Sequence, residues 1–159
     1  METLNSSQPG PIRVTQVMVA ALMFGLLTAS AVMFMLVHMG VQQPQHGLEI
    51  LLYVLAALWP VCAIMSVVMN SVMVRQARAQ WNNGSGQGDE DDLLPAYSSA
   101  VIVRGALLEG PGLFGAVAFM LTGNMLALIA PALSLAALGL IFPSQEKFRA
   151  FVRDVTDRS

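Results

Sequence analysis

Charge is scarce in this sequence. Of 159 residues, 8 are Lys or Arg and 10 are Asp or Glu, only 11% in all. A soluble domain carries about 25% charged residues, so an ordinary water-soluble fold is excluded, as are charge-rich disorder and a coiled coil. The formal net charge is -2, so there is no basic field, and nucleic acid is not expected as a partner. Cysteine occurs once, at Cys62, which rules out an internal disulfide. What is plentiful is apolar: 55% of the residues are hydrophobic and the mean hydropathy is +0.63. The class that remains is an integral membrane protein, with the lipid bilayer as its first partner.

A helix needs about 20 apolar residues to cross a bilayer core of about 30 Å. Four stretches qualify, near 14–39, 48–74, 98–122 and 125–142. They show no alternation and are too long for barrel strands, so the fold class is all-α. Ala29-Ser30-Ala31 has the form of a signal cleavage site, but the apolar run continues through Val37, so the first stretch is expected to be a retained span. Arg13, Arg75, Arg78, Lys147, Arg149, Arg153 and Arg158 all fall in segments on one side, whereas 40–47 and Gly123-Asn124 carry no Lys or Arg. The positive-inside rule then puts both termini in the cytoplasm. The expected organisation is a cytoplasmic N-terminus over 1–13, a transmembrane domain of four helices in two hairpins over 14–142, and a cytoplasmic tail over 143–159.

Two segments outside the spans have distinct characters. Residues 79–97 form a cytoplasmic loop that is Gly-rich and then acidic, with Asp89, Glu90, Asp91 and Asp92 in a row. They lack the spacing of a calcium loop and are expected to be a solvated charge run on a flexible linker. In the tail, Phe148, Phe151, Val152 and Val155 recur at helical spacing among Lys147, Arg149, Arg153 and Arg158. This is an amphipathic helix suited either to the inner membrane surface or to a partner subunit.

The third span holds the residues with chemical potential. Glu109 lies about eleven residues in, which at 1.5 Å per residue is about 16 Å deep, near mid-membrane. A carboxylate there costs several kcal/mol unless it is protonated, paired or facing water, so it marks a proton or cation site or an interhelical hydrogen-bond donor. Pro111 lacks an N–H and deprives the Leu107 carbonyl of its helical partner, so Glu109, Leu107 and Pro111 together make a candidate ion-binding group. Arg104 lies five residues before Glu109 and about 140° around the helix, so the two do not pair within one helix. Arg104 is expected to snorkel toward the cytoplasm or to pair with Glu109 of another subunit. Ala106-xxx-Gly110 and Gly112-xxx-Ala116, with Gly105 one heptad before Gly112, are small-residue patterns for close helix packing, within the bundle or in a homo-oligomer.

Other candidates are weaker. Met65, Met69 and Met73 form a stripe after Cys62, and Met33, Met35, His38 and Met39 cluster at the far end of the first span. Soft ligands suit Cu(I), but the two groups lie at different depths and read better as packing. His38 and His46 read as interfacial. Pro60 and Pro131 are expected to kink the second and fourth spans. No phosphate loop, paired carboxylates or nucleophile triad appears, so no catalytic residues, no cofactor, no metal and no enzymatic activity are expected.

The stretch Arg104-Gly105-Ala106-Leu107-Leu108-Glu109-Gly110-Pro111-Gly112-Leu113-Phe114-Gly115, followed by Leu121-Thr122-Gly123-Asn124, resembles an uncharacterised bacterial family of four-span proteins. That resemblance implies a bacterial cytoplasmic (inner) membrane location and no particular activity. More locally, Arg75-Gln76 after the second span and Glu109 midway along the third resemble the c subunit of rotary ATP synthases. The second span lacks that family's glycine repeat, the loop is longer, and two further spans flank the hairpin. The resemblance implies that Glu109 is an ion-carrying carboxylate in a ring of copies. The competing expectation is an accessory subunit of a larger membrane complex that transports nothing itself.

Overall fold

The computed structural model describes residues 11–41, 47–83 and 93–156. The acidic run, His46 and Arg158 lie outside the described residues. Five α-helices follow one another: α1 (Pro11–His38), α2 (Ile50–Asn83), α3 (Leu94–Thr122), α4 (Ile129–Ile141) and α5 (Gln145–Thr156), with a 3-10 turn over Met125–Leu128 before α4. No strand occurs among the described residues. Three helices, α1, α2 and α3, are long and apolar enough to cross a membrane. The fourth candidate is a bent pair in which Met125–Ile141 and Gln145–Thr156 meet at 70°.

The fourth segment is shorter than the sequence suggests because it is built of two helix types. Thirteen α-residues and four 3-10 residues reach only about 27 Å at about 1.5 and 2.0 Å per residue. Pro131 lies in the first turn of α4 and not in a helix interior, so its missing N–H costs no helical bond there. Pro60 and Pro111, by contrast, sit inside α2 and α3, and both helices run on past them. The Gly123-Asn124 turn is tight for two local reasons. Gly123 takes a left-handed φ of 65° and returns its N–H to the Phe119 carbonyl at 2.8 Å. The Asn124 side chain then accepts from the Leu126 N–H at 2.9 Å and starts the 3-10 turn.

Helix α3 is the hub. It packs on α1, α2 and α4, whereas α1 and α2 meet it far more than each other. In its most apolar stretch 44% of residues are buried, against 11% in α1 and in α2. The expected first hairpin is therefore one in chain order only. The cause is the small-residue content of α3, which lets three neighbours approach a single helix. A Cβ on Gly105 would lie 3.2 Å from Leu22 Cδ1, and one on Gly112 would lie 2.9 Å from both Leu26 and Ser134. A Cβ on Gly115 would lie 2.8 Å from the Ala127 carbonyl oxygen, Ala130 Cβ and Pro131 Cδ. The outward faces of α1, α2 and α4 are apolar: Phe24 is 70% exposed and Leu140 78%. Such surfaces are the reverse of a water-soluble bundle and suit lipid.

Helix α2 has 34 residues, about 51 Å at 1.5 Å per residue, longer than a bilayer core. Its last turns serve as a platform. Ala77 joins Leu93, Leu94, Tyr97 and Val101 in a cluster that buries Phe148, Phe151, Val152 and Val155 of α5. Tyr97 meets the Phe148 ring edge-on at 5.4 Å and the Phe151 ring at 5.5 Å. The apolar face of α5, which the sequence offers to a membrane or a partner subunit, is thus occupied within the chain.

Candidate functional site

Glu109 sits at the seam of α1 and α3. One carboxylate oxygen lies 3.9 Å from where a Cβ on Gly25 would be, an ordinary contact distance that puts the acid beside α1. Glu109 is partly buried and has no hydrogen-bond or ion-pair partner among the described residues. Around α3 from it, Ala106, Gly110, Leu113 and Val117 form an exposed strip. A Cβ on Gly110 would meet nothing within 4 Å. The small residues of α3 therefore divide by face. Gly105, Gly112 and Ala116 are buried against neighbouring helices, while Ala106 and Gly110 lie on the strip that no helix of this chain covers.

The side chains of Leu107 and Glu109 leave α3 on opposite sides. Two positions along an unbroken helix place them about 160° apart, and α3 is continuous through Pro111. Pro111 itself is buried. No group of three or more His, Cys, Asp or Glu side chains converges among the described residues. Of the methionines, Met35, Met39 and Met65 are 60%, 64% and 46% exposed and point outward separately.

Arg104 faces the other way, toward α2. Its Nη1 donates to the Asn70 Oδ1 at 3.1 Å, and its Nε is buried with no acceptor. Within the chain Arg104 and Glu109 are not paired, as their separation around the helix requires. Asn70 is the residue that sequence reasoning passed over, although a lone amide in an apolar run was a readable sign of an interhelical bond.

Polar links elsewhere tie α1 to the same end of the bundle. The Thr15 hydroxyl donates to the Ser98 Oγ at 2.8 Å, and Gln16 Nε2 donates to the Pro143 carbonyl at 3.0 Å. The first ties α1 to α3 and the second ties α1 to the link between α4 and α5. Lys147 Nζ donates to the Leu140 and Phe142 carbonyls at 2.6 and 2.9 Å, capping the end of α4. At the opposite end the Trp59 indole N–H is buried without an acceptor. It borders an apolar cavity of about 650 Å³ between α2 and α4. No protein-family model, no curated protein and no solved structure matches this chain.

Proposed function

We propose that the protein is a four-span inner-membrane subunit of bacterial type, with both termini cytoplasmic, in which Glu109 takes up and releases a proton at mid-membrane. The observation that carries the reading is the position of the carboxyl. It lies at a helix seam, beside Gly25 of α1, and has no hydrogen-bond or ion-pair partner among the described residues. An intramembrane acid without a partner is costly, and such residues mark proton and ion pathways. The exposed strip of Ala106, Gly110, Leu113 and Val117 beside it supports assembly with a second copy or with another membrane subunit. The local likeness to the rotary c subunit is of the same kind, and to the departures already named it adds another: Glu109 faces α1, not the other helix of the proposed hairpin.

The second reading, a non-transporting accessory subunit, is favoured by the absence of any further titratable group in contact with Glu109 among the described residues. In that case the acid stays protonated and donates one hydrogen bond to the partner that covers the strip.

Glu109→Gln separates the two. Gln keeps the size and the donor but cannot release a proton. The proton reading expects normal assembly and loss of proton flux in reconstituted vesicles. It also expects a carbodiimide that attacks protonated carboxyls in apolar surroundings to modify the wild type, faster as the pH falls. Flux that Gln at position 109 leaves unchanged would overturn the proton reading, and so would a wild type that carries no flux at all, the result that the non-transporting reading expects.

A further inference from the structure

At the α5 end of the bundle, α2, α3, α4 and α5 enclose a cavity of about 310 Å³. This is the lower end of the size range of small-molecule sites, ample for one headgroup phosphate. Two cations line it, Arg104 from α3 and Lys147 from α5, together with one acid, Asp154. The guanidinium is the unusual element. It is partly buried, well inside the end of α3, and no carboxylate lies within ion-pair distance of it among the described residues. Its one recorded acceptor is the neutral Asn70 amide, and Nε has none. Lys147 is exposed and its two acceptors are the carbonyls that end α4; no carboxylate lies within ion-pair distance of it among the described residues. Asp154 lends its backbone carbonyl to Arg78 and pairs with neither cation.

A partly buried guanidinium with no carboxylate partner, and a second cation lining the same cavity, call for an anion. Arg in particular offers a planar fork of donors that matches phosphate oxygens. The cavity wall includes Leu140, which is 78% exposed on the outer surface of the bundle. The mouth therefore adjoins the lipid-facing side, where a headgroup can enter while its acyl chains remain among the exposed apolar side chains. We propose that this cavity binds the headgroup phosphate of an anionic membrane lipid, held by Arg104 and Lys147 in the leaflet on the α5 side. Basic pockets between transmembrane helices on the cytoplasmic side recognise anionic lipids by the same physics. A bound lipid would also join α5 to α3 across Lys147 and Arg104, which stabilises the packed tail.

The test uses the full chain in a neutral detergent, with short-chain phosphatidylglycerol, short-chain phosphatidylcholine and inorganic phosphate as probes. Binding is read by native mass spectrometry and by the shift in thermal midpoint. Phosphatidylglycerol should bind and raise the midpoint, and added salt should weaken it. Phosphatidylcholine and inorganic phosphate should bind at least tenfold more weakly. Arg104→Gln should weaken phosphatidylglycerol at least tenfold and Lys147→Gln severalfold. Arg149→Gln, the same charge change on the exposed side of α5, should leave binding unchanged. Asp154→Asn should tighten binding, and a gain cannot come from misfolding if Arg104→Gln proves unstable. The proposal is overturned if Arg104→Gln binds as the wild type does, if Arg149→Gln loses as much as Arg104→Gln, if Asp154→Asn does not tighten, or if inorganic phosphate or phosphatidylcholine binds as well as phosphatidylglycerol.

Discussion

The approach of α4 to α3 depends on the absence of a single side-chain carbon, and its worth can be worked out. A Cβ at position 115 would lie 2.8 Å from three atoms: a backbone carbonyl oxygen, the Cβ of Ala130 and a ring carbon of Pro131. Ordinary carbon contacts lie at about 3.5–4.0 Å, so Gly115→Ala must push the two helices about 0.7 Å apart. None of the three atoms is the tip of a flexible side chain, so the strain falls at the upper end of the overpacking range, about 2–3 kcal/mol. Alanine returns up to about 1 kcal/mol as the better helix former. The net loss is about 1–2 kcal/mol. Gly139→Ala is the control, because a Cβ there meets nothing within 4 Å and only the helix gain remains. Gly112→Ala falls between, since the Leu26 tip that it meets at 2.9 Å can swing aside while Ser134 Cβ cannot. Reversible unfolding in mixed micelles should therefore rank Gly139→Ala above the wild type, then Gly112→Ala, then Gly115→Ala. The two extremes should differ by the strain alone, about 2–3 kcal/mol, more than tenfold in the unfolding equilibrium. Gly115→Ala at or above wild-type stability would refute the close contact of α3 with the start of α4.

Three further outcomes can be checked on the same protein. Ser134 is fully buried and its hydroxyl has no partner, so Ser134→Ala should raise stability by about 1 kcal/mol by removing an unsatisfied polar group; a loss of that size would mean that the hydroxyl is bonded. Phe151→Ala removes a ring that is 7% exposed, and at 12 residues α5 is too short to persist alone. Trypsin should then cut after Arg149 and Arg153 faster than in the wild type, and an unchanged rate would show that α5 is held elsewhere. For orientation, in a Cys62→Ser background, a cysteine at the exposed Met125 should react with an impermeant maleimide on intact cells and one at Arg149 should not; the reverse pattern would invert the topology.

Much of the fold was legible because lipid solvation imposes one constraint at a time. Length and hydropathy located α1, α2 and α3, and the Gly123-Asn124 turn followed from residue types that tolerate its backbone. The shortfall of the fourth span was not legible. The apolar run 125–142 carries no mark of where 3-10 gives way to α, because that boundary is set by Asn124 capping and by Pro131 taking the first turn of α4. Nor did the spacing of Phe148, Phe151, Val152 and Val155 say what covers them. Periodicity gives a face, and only the tertiary placement of the last turns of α2, with Ala77, beside the start of α3, with Tyr97 and Val101, supplies its partner.

The small-residue patterns of α3 show the same limit and lead further. Ala106-xxx-Gly110 and Gly112-xxx-Ala116 look alike in sequence, yet one is uncovered and the other is filled by Leu26 and Ser134. What separates them is azimuth. Buried positions of α3 occupy one side of the helix, Ala106 and Gly110 occupy the other, and Glu109 stands at the border of the two. A border position is where an intramembrane acid is least costly to keep. It is close to α1 at Gly25, and open enough for a partner on the strip to hydrogen-bond it. Arg104, about 140° away, opens onto the α5-side cavity instead. One helix thus carries its two ionisable side chains to two separate boundaries of the bundle. Neutralising either one should leave the other's chemistry intact, so the Glu109→Gln and Arg104→Gln phenotypes should be additive.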